Sequence, residues 1–476
     1  MKKYILILFI VLFPVWVFSA TYYVSNAGSG STCSIGSPCT IAYAMSNAVA
    51  GDIWLFRGGT YTVPTKNGYN YLSQSADGYH GYYEPQHSGT AGSPITFRAY
   101  TGETPILNGT AAGGEGVSGQ SGETMLGTYD KTYIVFDGFT LQVDGGLNTA
   151  RMVLGSNDLC STYVPISTHV TIQNCYFSGG STVQTNTDNV EGLRIECVSD
   201  TTVQNNTFYH YMETNNYHNT SAIKTYDTAN TLVKNNEFSN NTNTIYFKRD
   251  CQNCTVSYNY IHDTDTGIYA SAYNIWSPAN LLIYQNVIVN FTGTGVYNEI
   301  SDGQTFATEN IYNNSMYSTY TTGEAYLIIA DGTGHHLYNN ALQVPHAPTD
   351  YGSSVVRHTS GSVLTEQDYN SFGNTNFMVR GPSGSYYSTL ATWAASSELS
   401  GGGHPDTHSL NSATSCFTNG SGNLNTLNDF LIKAPCVGTG KAGADMGANV
   451  ALVGTGGTSA GTTTTFSGGT RSGCKF

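Results

Sequence analysis

The segment Leu232-Val-Lys-Asn-Asn-Glu-Phe238 is one copy of a short motif that recurs along the middle of the chain. Neighbouring copies are Thr202-Val-Gln-Asn-Asn-Thr-Phe208 and Val256-Ser-Tyr-Asn-Tyr-Ile261. Each of these three copies ends on an apolar residue and carries an Asn two places before that end. The last apolar residues of seven copies, at steps of 23 to 31 residues, are Phe177, Phe208, Phe238, Ile261, Ile288, Met316 and Leu342. Internal repetition at such a period indicates a repeat architecture.

A step of this length is enough for one coil of short strands joined by turns. Coils that stack in parallel pair their backbones along the whole stack, so that equivalent residues lie above one another. Inward Ile, Val, Leu and Phe then form the core, and the recurring Asn forms a ladder of amide hydrogen bonds. Its six members are Asn206, Asn236, Asn259, Asn286, Asn314 and Asn340, with Cys175 at the same place in the first copy. We therefore interpret the ladder as structural and predict an all-β solenoid of parallel strands.

Composition agrees with a chain of strands and turns. Charged residues make up only 11% of the sequence, whereas Gly occurs 54 times and Tyr 35 times. The net charge of −14 argues against a nucleic-acid partner. The segment 40–50 is the exception, because Ile41, Met45 and Ala48 have helical spacing. It predicts a short helix that caps the first coil.

The start of the chain has the pattern of a targeting signal. Lys2 and Lys3 precede an apolar run from Tyr4 to Phe18, and the small residues Ser19 and Ala20 follow. This pattern predicts a cleaved signal peptide over residues 1–20. The run is short for a membrane span and no later stretch is long and apolar enough. We therefore expect a secreted monomer, extracellular or periplasmic, without a membrane span.

The sequence contains ten cysteines, and an oxidising compartment would permit disulfides. Proximity favours three pairs, Cys33–Cys39, Cys251–Cys254 and Cys416–Cys436. Metal binding by Cys251-Gln-Asn-Cys254 is an alternative. A disulfide or two free thiols is favoured there, because no second such pair or flanking His is present.

Several segments together resemble the right-handed parallel β-helix, or pectin-lyase-like, superfamily. They are Tyr22-Tyr-Val-Ser-Asn26, the predicted cap helix, Gly51-Asp-Ile-Trp-Leu-Phe-Arg-Gly-Gly-Thr-Tyr61 and the Asn ladder, and the segment Ala434–Gly447 is similar to the closing segment of many members. The resemblance covers about residues 21 to 450 and implies a right-handed solenoid. It is unspecific for activity, since this fold hosts lyases, hydrolases, epimerases and adhesins.

We divide the chain accordingly. Residues 21–110 are the expected N-terminal cap and first coils, and residues 111–345 the central β-helix. Residues 346–453 are expected to form C-terminal coils and loops. Residues 454–476 are Gly, Thr and Ser without periodicity, and are expected to form a flexible tail.

A second strand in each coil carries the candidate site. Side chains alternate faces along a strand, so Leu193, Ile223, Ile245, Ile268 and Val296 are assigned inward. The outward residues then form two columns, one of Arg194, Lys224, Tyr246, Tyr269 and Tyr297, the other of Glu196, Tyr226, Lys248, Ser271 and Glu299. The chain has only 18 Lys and Arg, and three lie on this face, with Arg249 adjoining. Tyrosines on a strand face suit sugar rings. The alternative is a solvated face with tyrosine stacking and incidental ion pairs.

Polysaccharide lyases of the resembled superfamily place basic residues on such a sheet. β-Elimination on a uronate needs a neutralised carboxylate, a base for the C5 proton and an acid for the leaving oxygen. We hypothesise Lys224 or Lys248 as the base, with assistance from Tyr226, Tyr246 or Tyr269. The residues expected to bind the acidic polysaccharide are Arg194, Arg249, Tyr297 and Glu299. The resemblance also implies calcium, for which the candidate ligands are Asp188, Glu191, Glu196, Asp227 and Asp250.

Two other functions stay open. Polygalacturonase-like hydrolases carry Asn-Thr-Asp, Asp-Asp, Gly-His-Gly and Arg-Ile-Lys, of which only Asn186-Thr-Asp188 is present. A hydrolase built around Glu191 and Glu196 is nevertheless conceivable. Phe247-Lys-Arg-Asp250 is only loosely similar to the Phe-Arg-His-Gly strand of one calcium-dependent lyase branch. Because no catalytic motif is complete, a non-catalytic adhesin or carbohydrate-binding solenoid is the further alternative.

Overall fold

The computed structural model describes most of the chain. The described ranges are 19–63, 81–110, 124–144, 151–155, 165–180, 183, 190–214, 219–249, 251–272, 279–300, 307–318, 326–343, 355–359, 361–373, 379–411, 414–419, 424 and 426–454. Residues 1–18 of the predicted signal peptide and residues 455–476 of the predicted tail lie outside them. Among the described residues, no helix is both long and apolar enough to cross a bilayer.

Three sheets run the length of the stack, and each coil passes through them in turn. Sheet 1 contains Thr21–Val24, Ile53–Phe56, Ile95–Ala99, Thr132–Asp137, Ser167–Gln173, Val198–Ser199, Thr202–Gln204, Thr228–Ala229, Leu232–Lys234, Cys251–Gln252, Thr255–Ser257, Ala279–Tyr284, Ala307–Tyr312, Thr333–Tyr338 and Val363–Asp368. Sheet 2 contains Gly59–Val63, Pro105–Thr110, Thr140–Asp144, Tyr176–Ser178, Thr207–Tyr209, Glu237–Ser239, Tyr260–His262, Val287–Val289, Ser315–Tyr317, Ala341–Gln343 and Ser371–Phe372.

Sheet 3 carries the candidate site. It contains Leu126–Gly127, Met152–Gly155, Val190–Glu196, Thr220–Tyr226, Asn243–Phe247, Thr266–Ala272, Thr294–Ile300, Tyr326–Ala330, Val356–His358, Val379–Arg380 and Tyr386–Tyr387. Only its last pair of strands is antiparallel. The predicted all-β solenoid of parallel strands is therefore confirmed.

Few helices accompany the sheets in the described residues. The predicted cap helix is present as Ile41–Asn47, where Thr40 accepts a hydrogen bond from the Tyr43 amide at 3.1 Å and Ile41, Ala44 and Met45 are buried. A second α-helix is Leu390–Ala394. Three 3₁₀ turns are Leu427–Phe430, Lys441–Gly443 and Val450–Leu452.

The Asn ladder forms as predicted and is longer by one member. Each side-chain amide donates to the next Asn Oδ1 at 3.0–3.1 Å, from Asn206 onward. Asn340 donates in turn to Asn370, and Asn370 donates to the Asp406 carboxylate at 3.2 Å. At the other end, the backbone amide of the buried free Cys175 donates to Asn206 Oδ1. Asp406 thus supplies the acceptor that no further Asn provides.

The described residues of the C-terminal segment, 414–419, 424 and 426–454, lie along the outside of sheet 2. Gly454 donates to the Tyr258 carbonyl at 2.8 Å, and Gly447 to the Asn339 carbonyl at 2.7 Å, so the segment spans several coils. It forms a second apolar cluster with Val287 and Val289, whose side chains point away from the main core. All three predicted disulfides are present, Cys33–Cys39, Cys251–Cys254 and Cys416–Cys436, and Cys197 is also disulfide-bonded.

The interior is not apolar throughout. Asn298, Glu309, His335 and His358 occupy inward positions that other coils give to residues such as Ala270 and Leu281, and all four are fully buried. His335 Nδ1 lies 3.1 Å from Glu309, and His358 Nε2 lies 2.8 Å from Gln367 Oε1. In the last coils, buried polar side chains that contact one another therefore take the place of apolar core residues.

Candidate functional site

The strand register of sheet 3 confirms the first predicted column. Arg194 pairs with Lys224, Lys224 with Tyr246, Tyr246 with Tyr269, and Tyr269 with Tyr297. The inward column from Leu193 to Val296 is likewise in register. In the second column Glu196 pairs with Tyr226, and Ser271 with Glu299. The outward residues therefore share one face at strand spacing, about 4.8 Å per coil.

The N-terminal part of this face is a group of five charged residues, here called the ion cluster: Glu191, Arg194, Glu196, Lys224 and Lys248. Arg194 lies between two carboxylates, with Nε 2.7 Å from Glu196 and Nη1 3.5 Å from Glu191. Its guanidinium also lies 4.2 Å from the centre of the Tyr226 ring. Arg194 is therefore already paired and stacked, which suits a residue that holds the cluster together.

The two lysines are held from the opposite side by Asn219. Lys224 Nζ lies 3.4 Å from Glu191 and donates to the Asn219 carbonyl, and Lys248 Nζ donates to Asn219 Oδ1 at 3.3 Å. Burial lowers the pKa of Lys224 to about 7, although the Glu191 charge opposes this shift. Burial also lowers the pKa of Lys248, and the Arg194 charge adds to that effect. Lysines of this kind can be neutral bases at moderate pH.

Next in the column lies the tyrosine stack of Tyr246, Tyr269 and Tyr297. The ring centres are 4.3 Å and 4.8 Å apart, and the planes are nearly parallel. The Tyr269 hydroxyl donates to the Glu299 carboxylate, and burial is the main cause that raises the pKa of Tyr269 far above its usual value. Burial likewise raises the pKa of Tyr226. Both phenols therefore carry their protons at neutral pH and could serve as acids rather than bases.

Exposure divides the site into a deep part and an accessible part. Glu191, Glu196, Lys224, Tyr226 and Tyr246 are buried. The partly exposed residues are Lys248, Tyr269, Tyr297 and Glu299. A ligand at this face would therefore meet Lys248 and the tyrosine stack before it met Lys224.

Arg249 forms its ion pair with a residue outside the ion cluster. Its Nη1 is 3.3 Å from the Asp227 carboxylate, and both residues are buried. A second arginine expected to bind carboxylates of the substrate is thus paired within the protein.

The described carboxylates do not fit a calcium site. Glu191, Glu196 and Asp227 each lie against Arg or Lys, whereas a calcium site gathers several oxygen ligands around one cation. Within the described residues, no group of three or more His, Cys, Asp and Glu is arranged to hold a metal. Asp188 and Asp250 lie outside those residues, so the calcium expectation stays a prediction that depends on them.

Sequence reasoning missed two parts of this face. Asn219 directly precedes the strand Thr220–Tyr226 and its contacts cannot be read from the periodicity, although it contacts both lysines. Arg357 and Arg380 continue the first column beyond Tyr297, through Ile329. Their strands, Val356–His358 and Val379–Arg380, are too short to show an alternation. A search for basic residues that directly follow a Val could have found them.

Comparison with a family model agrees with this geometry. Residues 148–310 match the model described as a right handed beta helix region. The chain is a right-handed parallel β-helix. The fold implied by the pectin-lyase-like resemblance is thus confirmed.

Relatives of this β-helix add little about its chemistry. An uncharacterized protein YwoF of Bacillus subtilis (strain 168) is 33% identical over 104 residues, which are 22% of this chain and 17% of that protein. The matched part is thus a small share of either protein.

Among solved structures, the β-helix is similar to pectate lyase Pel9A, with 15% identity, coverage of 90% of this chain and 96% of that chain, and a TM-score of 0.44. A rhamnogalacturonan lyase gives 14% identity, 71% and 84% coverage and a TM-score of 0.42. A glycoside hydrolase gives 9% identity, 76% and 95% coverage and a TM-score of 0.47. Likeness at this level concerns the overall fold and not shared residues.

Proposed function

We propose that this β-helix is a secreted carbohydrate-active enzyme, a polysaccharide lyase that cleaves a uronate-containing polysaccharide by β-elimination on sheet 3. The observation that carries the proposal is the pair Lys224 and Lys248, two amines with lowered pKa beside a row of protonated tyrosines. Such a pairing of a neutral base with a nearby proton donor is what β-elimination requires.

The exposure of the residues supports the proposed roles. Lys248, which is partly exposed, takes the C5 proton of the uronate. The electron pair then forms the C4–C5 double bond, the C4–O bond breaks, and the leaving oxygen takes a proton from Tyr269. Lys224 and Arg194 lie behind Lys248 and stabilise negative charge that develops on the substrate carboxylate.

The experiment is to incubate the protein with alginate, pectate and glycosaminoglycans and to follow the ultraviolet absorbance of the unsaturated product. Lys248→Ala is expected to lower the rate by about 10²–10⁴-fold on the polymer that is cleaved. Lys234→Ala is the matched control, since Lys234 lies on the outward side of sheet 1. The absence of an unsaturated product from every uronate polymer would refute the proposal.

The pH profile gives a second test of the base. A lysine base acts only when neutral, so kcat/KM is expected to fall as the pH drops through its pKa. Because burial lowers that pKa, the acid limb is expected below the ordinary lysine value of about 10.4. Lys248→Arg keeps the charge but cannot lose a proton at these pH values, so it is expected to be as inactive as Lys248→Ala.

Calcium is part of the proposal only through Asp188 and Asp250. Each polymer is therefore tested with calcium and with a chelator. Loss of activity on chelation that is reproduced by Asp188→Asn or Asp250→Asn would support a calcium site. Unchanged activity would remove calcium from the proposal.

The proposed location, extracellular or periplasmic, is supported by the disulfides. Cys33–Cys39, Cys251–Cys254 and Cys416–Cys436 form pairs that persist in oxidising compartments. Fractionation of cells that produce the full chain tests this part.

A non-catalytic carbohydrate-binding protein is the second candidate. It is favoured by the ion pairs of the buried part of the site, where Arg194 and Lys224 already have partners within the protein. Binding of an acidic polymer without any product would favour it. A hydrolase around Glu191 and Glu196 gains no support, because both carboxylates contact the same Arg194.

A further inference from the structure

The outward column of sheet 3 continues past the tyrosine stack to a second pair of cations. Tyr297 pairs with Ile329, Ile329 with Arg357, and Arg357 with Arg380. Their neighbours along the strands, Val356, His358 and Val379, are buried in the core, so the two arginines lie on the outer face. Both arginines are partly exposed.

Two arginines in register on adjacent parallel strands are an unfavourable arrangement by themselves. Their strands are about 4.8 Å apart, and like charges directly opposite one another destabilise a sheet. Among the described residues, Arg380 has no ion pair. Its Nε is buried without a hydrogen-bond partner, and its guanidinium lies 5.8 Å from the centre of the Tyr386 ring. An anion beside the two guanidinium groups would supply an acceptor for the Arg380 Nε and a counter-charge on this face.

We propose that Arg357 and Arg380 form an anion subsite that binds carboxylates of the same acidic polysaccharide at a distance from the ion cluster. The subsite rests on the proposed function for the identity of its ligand. Lys248 lies in the coil of Tyr246, four strand steps from Arg357, which corresponds to about 19 Å. The bound segment therefore spans several sugar residues and runs along the axis of the β-helix.

Charge complementarity and continuity favour this ligand over others. The column leads from Lys224 through the tyrosine stack to the arginines without leaving the face. Cations at both ends with flat aromatic residues between them match a chain that carries a carboxylate on each ring. Because the chain carries a net charge of −14, retention of a polyanion is favoured where cations are concentrated locally.

The test measures binding separately from cleavage. Affinity electrophoresis and calorimetry are performed with alginate, pectate and their oligomers on Lys248→Ala protein. In this background Arg357→Gln/Arg380→Gln is compared with Arg98→Gln/Lys234→Gln, a pair that removes the same charge from the outward side of sheet 1. The first pair is expected to weaken binding of the polymer by roughly tenfold or more. The loss is expected to shrink for oligomers too short to span the column.

A further variant separates geometry from charge. Arg357→Lys/Arg380→Lys keeps both charges but loses the planar fork, so its affinity is expected between the wild-type and Gln values. Equal weakening by the sheet 1 pair, or no weakening by Arg357→Gln/Arg380→Gln in a folded protein, would overturn the inference. So would the absence of binding to any acidic polymer. Binding that depends on the arginines without cleavage by the wild-type protein would refute the lyase proposal and leave the subsite standing.

Discussion

Removing one member from the middle of the Asn ladder is expected to cost far more than removing an exposed Asn. Asn286 is fully buried and its side chain connects three coils. Its Oδ1 accepts from the backbone amide and from the side-chain amide of Asn259, both at 3.0 Å. Its Nδ2 donates to the Val256 carbonyl and to Asn314 Oδ1, again at 3.0 Å.

The substitution Asn286→Ala leaves these partners buried without it. Two N–H groups of Asn259 lose their acceptor, the backbone N–H and one of the two Nδ2 hydrogens, while the other Nδ2 hydrogen keeps the Val233 carbonyl. An unsatisfied buried polar group costs about 1–3 kcal/mol, so the free energy of unfolding should fall by about 2–6 kcal/mol. This is a large part of the stability of an ordinary domain.

Urea unfolding followed by circular dichroism measures the loss, as a shift of the midpoint at unchanged slope. The matched control is Asn47→Ala, because Asn47 is exposed at the end of the cap helix and makes one hydrogen bond to Tyr43. A change within about 0.5 kcal/mol is expected there. If Asn286→Ala lost less than about 1 kcal/mol, the interpretation of the ladder as a main source of stability would be wrong.

Two further predictions concern the buried histidine and the proposed acid. Burial lowers the pKa of His358 to about 4, so the unfolded chain takes up a proton first as the pH falls from about 6.5, and stability is lost in that window. Between pH 7 and pH 5 the loss due to this group is about 2 kcal/mol, and it should be absent in His358→Gln. Burial raises the pKa of Asp406 to about 6, an effect of opposite sign that both proteins share, so it cancels when their urea midpoints are compared. In Tyr269→Phe the aromatic stack is kept and the hydroxyl is lost, so kcat on the cleaved polymer should fall by about 10²–10⁴-fold. The control Tyr284→Phe changes a tyrosine of the stack on sheet 1 and should leave kcat unchanged; equal effects of the two would count against Tyr269 as the acid.

Most of the fold could be predicted because two periodicities coincide in the sequence. The motif that ends at Phe238 fixes where each coil turns, and the alternation along the following strand fixes which side chains point outward. A shift of one residue would have placed Ile223 and Ile245 in solvent. The register of Lys224 with Tyr246 was therefore determined by the apolar residues on either side of them.

The fold could not be predicted where the strand alternation is too short or where contacts are distant in sequence. The strands of Arg357 and Arg380 have three and two residues, which is too short for an alternation to show, although Asn340 and Asn370 of the ladder precede them. The return of the C-terminal segment along sheet 2 was equally hidden, since its contacts join residues as distant as Asn235 and Leu452. Contacts of that kind depend on the packed surface and not on local pattern.

A column of basic residues in the sequence does not give the number of cations that a ligand can reach, because some of them are paired within the protein. Arg194 was expected to bind substrate, yet Glu196 is two residues away on the same face and Glu191 three, so both reach its guanidinium. The ion cluster then holds three cations against two carboxylates, which leaves one positive charge when every group is ionised. One uronate carboxylate would neutralise this charge. The ion cluster would then attract no further carboxylate of a polymer that carries one on each ring. Retention of such a polymer consequently requires a second cationic place on the same face, and in the described part of the column that place is the pair Arg357 and Arg380.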